Sequence, residues 1–346
     1  MDTLTHALSG ALLARATAGK DAPEHSVPRR IAAGFIACAA PDLDFVVSFL
    51  GPIQYLQLHR GPTHSILLLP FWAVLFSWVL AKILREPRGW RALYGVTAMG
   101  MALHIAGDVI TSFGTMLLWP LSDWRAGIGT TFIIDLWFTG IIVCGLLASV
   151  IARKSAAASI TAIAVLAGYV GFQCLQKQKA LELGMEFAVA NAVHGARVDA
   201  QPRPVSPFNW TVFVSDERAH RFAHVNLVRK APKPYRPGDG FIAKVDSPYL
   251  PMDQAIWITR TRYGEGDDRL VREAWNSDAL GFFRWFADLP ALDAATENPS
   301  CAWFVDLRFL TPGRDVMPFQ FGACRDAETG GWQAYERDNP VPLPSR

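Results

Sequence analysis

Pro41-Asp42-Leu43-Asp44 and, after a short gap, His59-Arg60-Gly61-Pro62-Thr63-His64-Ser65 interrupt segments that are otherwise almost wholly apolar. Four residues able to ligate a metal, Asp42, Asp44, His59 and His64, therefore stand at or within the edge of what reads as a membrane-embedded region. Ionisable groups are expensive in hydrocarbon, and where they occur they mark functional sites. Proline interrupts a helix, and a broken membrane helix is tolerated where its freed backbone lines a polar cavity. The stretch thus predicts a helical membrane bundle organised around a polar break.

Working outward, residues 31–50 and 65–84 form the apolar segments that flank and contain the break. Residues 92–118 make another and carry His104 and Asp108; residues 131–151 follow, with Asp135 near the start, and then residues 156–175. Residues 3–18, with His6 near their beginning, are short for a span and need a thinned bilayer. The expectation is a polytopic α-helical membrane domain of about six segments. Composition agrees: 51% of the 346 residues are hydrophobic and 18% charged, against roughly 25% charged in soluble domains. The apolar excess ends near residue 176. Residues 1–176 are therefore expected to hold a membrane-embedded metal site, and residues 177–346 to form a separate small α+β domain. A net charge of +2 is too small to imply a nucleic-acid surface. No basic run precedes an apolar core with a cleavage site, so no cleavable signal peptide is expected.

Charge asymmetry gives an orientation. Arg15, Lys20, Arg29, Arg30, Lys82, Arg85, Arg88, Arg91, Arg153 and Lys154 fall on one side of the segments, and only Arg60 and Arg125 in the short loops of the other. The first side is expected to be cytoplasmic and residues 177–346 extracytoplasmic. His6, Asp42, Asp44, His59, His64, His104 and Asp108 then gather in the outer half of the membrane, although they come from four segments and the charge rule uses none of them.

Beyond residue 176 the pattern changes. Residues 176–196 read as an amphipathic helix leaving the membrane, and Pro202, Pro204 and Pro207 mark a linker. Residues 210–215 and 222–228 read as strands. Cys301, Trp303, Val305, Leu307 and Phe309 alternate as in a half-buried strand, and residues 269–287 read as one helix with a Trp/Phe-rich face. Outside the cell membrane Cys301 and Cys324 meet an oxidising compartment and are expected to pair. Cys38, Cys144 and Cys174 lie in apolar runs and read as small buried hydrophobes.

His104 and Asp108, four apart, project from one helix face, and Gly61-Pro62 can turn His59 and His64 towards one point. Imidazole and carboxylate together suit zinc, manganese or iron. Candidate metal ligands are His6, Asp42, His59, His64, His104 and Asp108, with Asp44 or Asp42 as catalytic carboxylate. Seven groups allow one or two ions, or leave some as orienting partners and a general base. Hydrolysis is the natural reaction, on a substrate that is itself in the membrane. Asp123 and Asp135 read instead as partners for Arg125 or for helix ends. His25, His194, His220 and His224 read as solvated or structural.

The opening Met1-Asp2-Thr3-Leu4-Thr5-His6, the two clusters above, His104-Ile105-Ala106-Gly107-Asp108, Thr111-Ser112-Phe113-Gly114-Thr115 and Leu118-Trp119-Pro120 resemble the YdjM-like family over about residues 1–150. The resemblance implies an inner-membrane-associated, metal-dependent hydrolase using the residues already derived. The order of these motifs is also similar, remotely, to zinc-dependent phospholipase C, which implies phosphoester hydrolysis of a lipid; some family members are linked to regulatory binding. The function expected is a bacterial inner-membrane hydrolase acting on a membrane lipid at the outer leaflet, its C-terminal domain capping the site or selecting substrate. Two other classes compete with it. One is a proton-coupled transporter or channel, since intramembrane Asp and His also form relays. The other is a metal-stabilised membrane scaffold or regulator.

Overall fold

The polar break divides the helices much as proline chemistry dictates. In the computed structural model, which describes residues 1–19, 26–152, 155–264, 268–297, 299–314, 317–337, 339 and 341–343, helix α1 (Thr3–Ala16) is followed by α2 (Ser26–Ala39). At Ala40 the chain tightens into a 3-10 helix, Ala40–Leu50, because Pro41 has no N–H to continue the ladder. Such a helix of 11 residues is long, since these runs seldom exceed about four residues, and mid-helix stretches of this kind mark hinges or strain. Helices α3 (Pro52–Leu58), α4 (Leu69–Ile83), α5 (Arg91–Val109), α6 (Leu136–Ile151) and α7 (Ala157–Ala190) follow. The expectations for Lys20, His25, Arg153 and Lys154 lie outside the described residues.

Among the described residues three helices are long and apolar enough to cross a membrane: Ser26–Leu50, Arg91–Val109 and Ala157–Ala190. A fourth counts only if Pro52–His64 and Leu69–Ile83, bent by 80°, form one broken span. The other expected segments fall below that length, since α1, α4 and α6 have only 14, 15 and 16 residues. At 1.5 Å per residue even the longest of these reaches about 24 Å, short of a hydrocarbon core of about 30 Å. Two elements expected separately, the last span and the exit helix, are fused in α7, a single helix of 34 residues.

The chain divides into two compact units, Met1–Phe49 with Leu58–Leu175, and Leu50–Gln57 with Gln176–Arg346. In the first, α1, α2 and α5 meet through small residues. A Cβ on Gly34 would lie 2.6 Å from both the Gly10 carbonyl oxygen and the Ala14 Cβ, and one on Gly100 would lie 3.3 Å from the Gly34 oxygen. Backbone-to-backbone approach of this kind is how helices associate where lipid offers no hydrophobic drive. It leaves a core of Ala14, Ala33, Ala37, Leu80, Ala81, Leu93 and Val96.

The second unit is built from two sheets. Strands β1 (Arg197–Pro202), β2 (Asn209–Ser215) and β3 (Ala219–Asn226) run antiparallel; after α8 (Phe241–Asp246), β4 (Leu250–Pro251) pairs parallel to the end of β3 and β5 (Ile258–Thr261) antiparallel to its start. Helices α9 (Arg269–Asn276) and α10 (Gly281–Phe286) precede the meander β6 (Pro290–Glu297), β7 (Ser300–Asp306), β8 (Phe321–Arg325) and β9 (Trp332–Glu336). The single helix expected over residues 269–287 is two, because Ser277 turns extended and its hydroxyl donates to the Ala274 carbonyl. The strand expected through Phe309 stops at Asp306, whose carboxylate accepts the Arg308 N–H and starts a 3-10 turn. Phe213, Phe222, Leu289, Ala291, Val305 and Leu307 form the shared core of this unit. Cys301 and Cys324 face each other across β7 and β8 and are disulfide-bonded. Closing a loop with a sequence separation of 23 contributes about 3 kcal/mol in the chain-entropy model.

Candidate metal centre

Local rules place each polar side chain. The Asp2 carboxylate caps α1, accepting the Thr5 N–H at 3.0 Å and the Thr5 hydroxyl at 2.6 Å, so His6 falls in the first turn. His6 lies one turn before Gly10, Asp42 one turn after Cys38, and His104 one turn after Gly100. The small residues that let the helices touch therefore stand next to the polar ones and bring them together. Asp108 follows His104 by a further turn of α5.

The His59–Ser65 stretch is a knot of backbone and side-chain bonds around Asp44. One Asp44 oxygen lies 2.7 Å from His59 Nδ1; the other accepts the Arg60 backbone N–H at 3.0 Å and the Thr63 hydroxyl at 2.9 Å. Arg60 holds φ of +60°, which swings its side chain inward, and Gly61 is hemmed by the Leu58 oxygen and the Met116 methyl, each 3.0 Å from where a Cβ would sit. The Trp72 indole donates to the Pro62 carbonyl, and the Ser65 hydroxyl to that of Trp119.

Asp42, His64, His104 and Asp108 converge. One potential ligand atom from each lies within 4.8 Å of the others, an arrangement that can hold a metal ion. His64 Nε2 is 2.9 Å from His104 Nε2 and 3.1 Å from Asp108 Oδ2, while His104 Nε2 is 3.5 Å from Asp108 Oδ2 and 3.6 Å from Asp42 Oδ1. His64, His104 and Asp108 are each 0% exposed.

Hydrogen bonds behind this point assign the imidazole protons. His104 Nδ1 is 2.6 Å from the Cys38 carbonyl, which can only accept, so Nδ1 carries the proton. The Thr63 hydroxyl gives its hydrogen to Asp44, so it accepts from His64 Nδ1, 2.9 Å away. In both neutral rings Nε2 then presents a lone pair, and the two lone pairs face each other. Asp108 Oδ2 adds to them and has no hydrogen-bond partner. Its other oxygen is occupied by the Met1 amino group, by His6 Nε2 at 3.1 Å and by Arg60 Nη2 at 2.9 Å. Three electron-rich atoms aimed at one buried point fit a divalent cation, and the groups holding their far sides are the orienting partners such a site needs.

The other sequence-predicted residues lie around this centre. His6 stacks on His104 at a ring separation of 3.8 Å and reaches the outer oxygen of Asp108. His59 and Asp44 pair beside His64, whose ring centroid is 6.2 Å from that of His59. Asp135 caps α6, accepting the Trp137 and Phe138 N–H groups, and accepts the Tyr169 hydroxyl. Asp123 and His194 are exposed. His220 is buried with its ring nitrogens on Ser215 and the Pro290 carbonyl. Residues not singled out in the sequence also take part. Arg60, only 2% exposed, bridges Asp108 and the Thr111 hydroxyl at 3.1 Å. Thr3 donates to Asp42 at 2.6 Å, and Thr63 and the Cys38 carbonyl fix the two imidazoles. The signal for Arg60 was its position between two motif histidines; a threonine hydroxyl or a backbone carbonyl gives none.

The inner membrane protein YdjM of Escherichia coli K12 is 36% identical over 113 residues, covering 29% of this chain and 52% of that protein; the protein of the same name in Shigella flexneri matches equally. The uncharacterized protein YfhP of Bacillus subtilis is 33% identical over 140 residues, covering 38% of this chain and 42% of its own length. The chain thus spans about half the length of the curated relatives it matches. No solved structure matches it significantly. The family model described as YdjM inner membrane protein matches residues 1–180, more than half of the sequence and all of the centre, and the chain belongs to that family.

Proposed function

We propose that this chain is a membrane-bound, metal-dependent hydrolase acting on a lipid or a membrane-associated phosphoester at the outer face of the inner membrane. The observation that carries the reading is the convergence of His64 Nε2, His104 Nε2 and the unpartnered Asp108 Oδ2. Two imidazoles and two carboxylates suit zinc, with manganese or iron as alternatives. A divalent cation held there would supply a Lewis acid for polarising a phosphoryl or carbonyl oxygen.

The chain's own groups supply the rest. Arg60, His6 and the Met1 amino group hold Asp108 by one oxygen and leave the other facing the centre. Cys38 and Thr63 keep both Nε2 lone pairs inward, and Thr3 fixes Asp42. His59, with Asp44 2.7 Å behind its Nδ1, takes the proton-transfer role: the carboxylate orients the ring. In this reading the shorter helices complete a six-segment membrane domain and residues 177–346 lie outside the cytoplasm.

The test is turnover of defined phospholipids by the purified full chain in nanodiscs. Activity should vanish with chelator and return with zinc or manganese. His59→Ala should lower it by about 10²–10⁴-fold, the range for loss of a general base, with metal content intact. Fully metallated protein that turns over no lipid would remove the hydrolase reading.

A further inference from the structure

A second concavity lies wholly within the β-rich unit. Between the two sheets is a cavity of about 200 Å³ walled by Phe222, Ile258, Leu292, Val305, Leu307 and Leu310, with His224, Arg260 and Asp293 as its polar lining. Apolar cavities of roughly 150 Å³ accept a benzene ring, so there is space for one ring or a short acyl tail.

The polar groups around it are mostly donors. Arg203, on the chain between β1 and β2, is 4% exposed and forms no ion pair among the described residues. It lies outside the lining, one hydroxyl behind the wall residue His224. Its Nε donates to the Thr211 hydroxyl at 2.6 Å, and Nη1 to the Arg308 carbonyl at 2.9 Å, close in sequence to the wall residues Leu307 and Leu310. Its Nη2 is buried with no partner, as is the hydroxyl of Tyr249, whose ring packs edge-on against His224 at 5.9 Å. Burial pushes the pKa of this guanidinium down to about 10, outweighing Asp199 and Asp306, which act on it without pairing with it, so its charge is only partly compensated.

His224 completes the set. The Thr211 oxygen accepts from Arg203, so its hydrogen goes to His224 Nδ1, 2.9 Å away. His224 Nε2 then carries an N–H, and His224 lines the cavity. Arg260, exposed at the rim, has no ion-pair partner among the described residues. The one acidic lining residue, Asp293, lies 3.5 Å from Arg337.

We infer that this unit binds a small organic carboxylate, its apolar body in the inter-sheet cavity and its anionic head towards His224 and the Arg260 rim. Arg203 acts behind the wall as a fixed positive charge. The site is independent of the metal centre.

Benzoate tests it, titrated calorimetrically into the full chain in nanodiscs of zwitterionic lipid. Saturable one-to-one binding is expected, and benzyl alcohol, the neutral ring, should bind about tenfold or more weakly. Arg260→Gln, a surface change that leaves the fold alone, should weaken benzoate by about tenfold, and His224→Gln by a similar factor. Asp108→Ala, which disables the metal centre, should bind benzoate as the parent does, so failure of the hydrolase reading and of this one are separable. Absence of saturable heat at millimolar benzoate, or equal affinity for the acid and the alcohol with no effect of Arg260→Gln, would overturn the assignment. Loss of benzoate binding in Asp108→Ala would likewise reassign it to the metal centre.

Discussion

The two units bury polar groups to opposite ends. In the helical unit the core around α2 is rich in alanine, α1, α2 and α5 touch backbone to backbone at glycines, and the buried acids and imidazoles converge on a point where one oxygen and two lone pairs are left over. In the β-rich unit the core is aromatic, and buried charges are mostly closed off locally. Arg308 is clasped by Asp306 and Asp288, and Asp246 by Asn209, Arg229 and Lys233. The difference follows from the solvent. Burying apolar area stabilises little when the surroundings are hydrocarbon, so close approach of small residues does the packing, whereas in water large aromatic side chains contribute most. Polar groups left over inside the first unit are therefore marks of chemistry.

Substitutions should separate the two logics. The largest effect is expected from Gly34→Leu, because a side chain there meets the Gly10 carbonyl and the Ala14 methyl on α1. It should displace α1, abolish metal binding and give polydisperse protein in size-exclusion chromatography. Phe304→Ala acts only on the other side. Phe304 is 0% exposed and packs on Trp275 at a ring separation of 4.8 Å, and its loss should destabilise the β-rich unit by about 3–5 kcal/mol. The melting transition of that unit should fall while metal stoichiometry holds; a change in metal content would mean that the units are coupled.

Acid should also act on the β-rich unit. Burial, reinforced by the Arg203 charge, pushes His224 down to about 3, against roughly 6.5 in an unfolded chain. Burial alone would raise the Asp246 carboxyl, but Asn209, Lys233 and Arg229 outweigh it and hold the group below its ordinary value. Between those limits the unfolded chain binds more protons than the folded one, so stability is full above about pH 6.5 and falls as the pH drops towards 3. Asp246 adds a further loss below about pH 4. Thermal melts from neutral to acid pH should show the decline starting near pH 6; a flat profile would remove His224 from the account. The smallest effect is that of Thr63→Val, which removes the hydroxyl orienting His64. Metal affinity should fall about tenfold, measured by competition with a chelator of known affinity, with the fold unchanged.

Legibility in the sequence follows the same division. Asp42, His64, His104 and Asp108 stand out because such residues are rare in apolar segments, and Asp135 because it sits where a helix must be capped. Their sorting, four around one point and His6, His59 and Asp44 beside or behind them, depends on which ring nitrogen faces which neighbour, and spacing does not encode that. Arg60 illustrates the limit: counted as a loop charge it indicates membrane orientation, yet a backbone at positive φ carries it inward to Asp108. In the β-rich unit alternation reveals β2 and β7. The break between α9 and α10 is hidden, because one serine turning extended outweighs an unbroken amphipathic pattern. Hydropathy does not mark where a helix starts and stops: the apolar run before Leu69 continues past the helix that contains it.

The central claim is that the four converging residues hold a metal. Elemental mass spectrometry of the full chain, purified without chelators beside an Asp108→Ala variant, tests it most directly. One or two equivalents of zinc, manganese or iron, lost in a variant that remains folded, is the predicted result. A parent protein that carries no metal and takes none up on addition would contradict it, and would leave the His64–His104–Asp108 cluster as a proton relay.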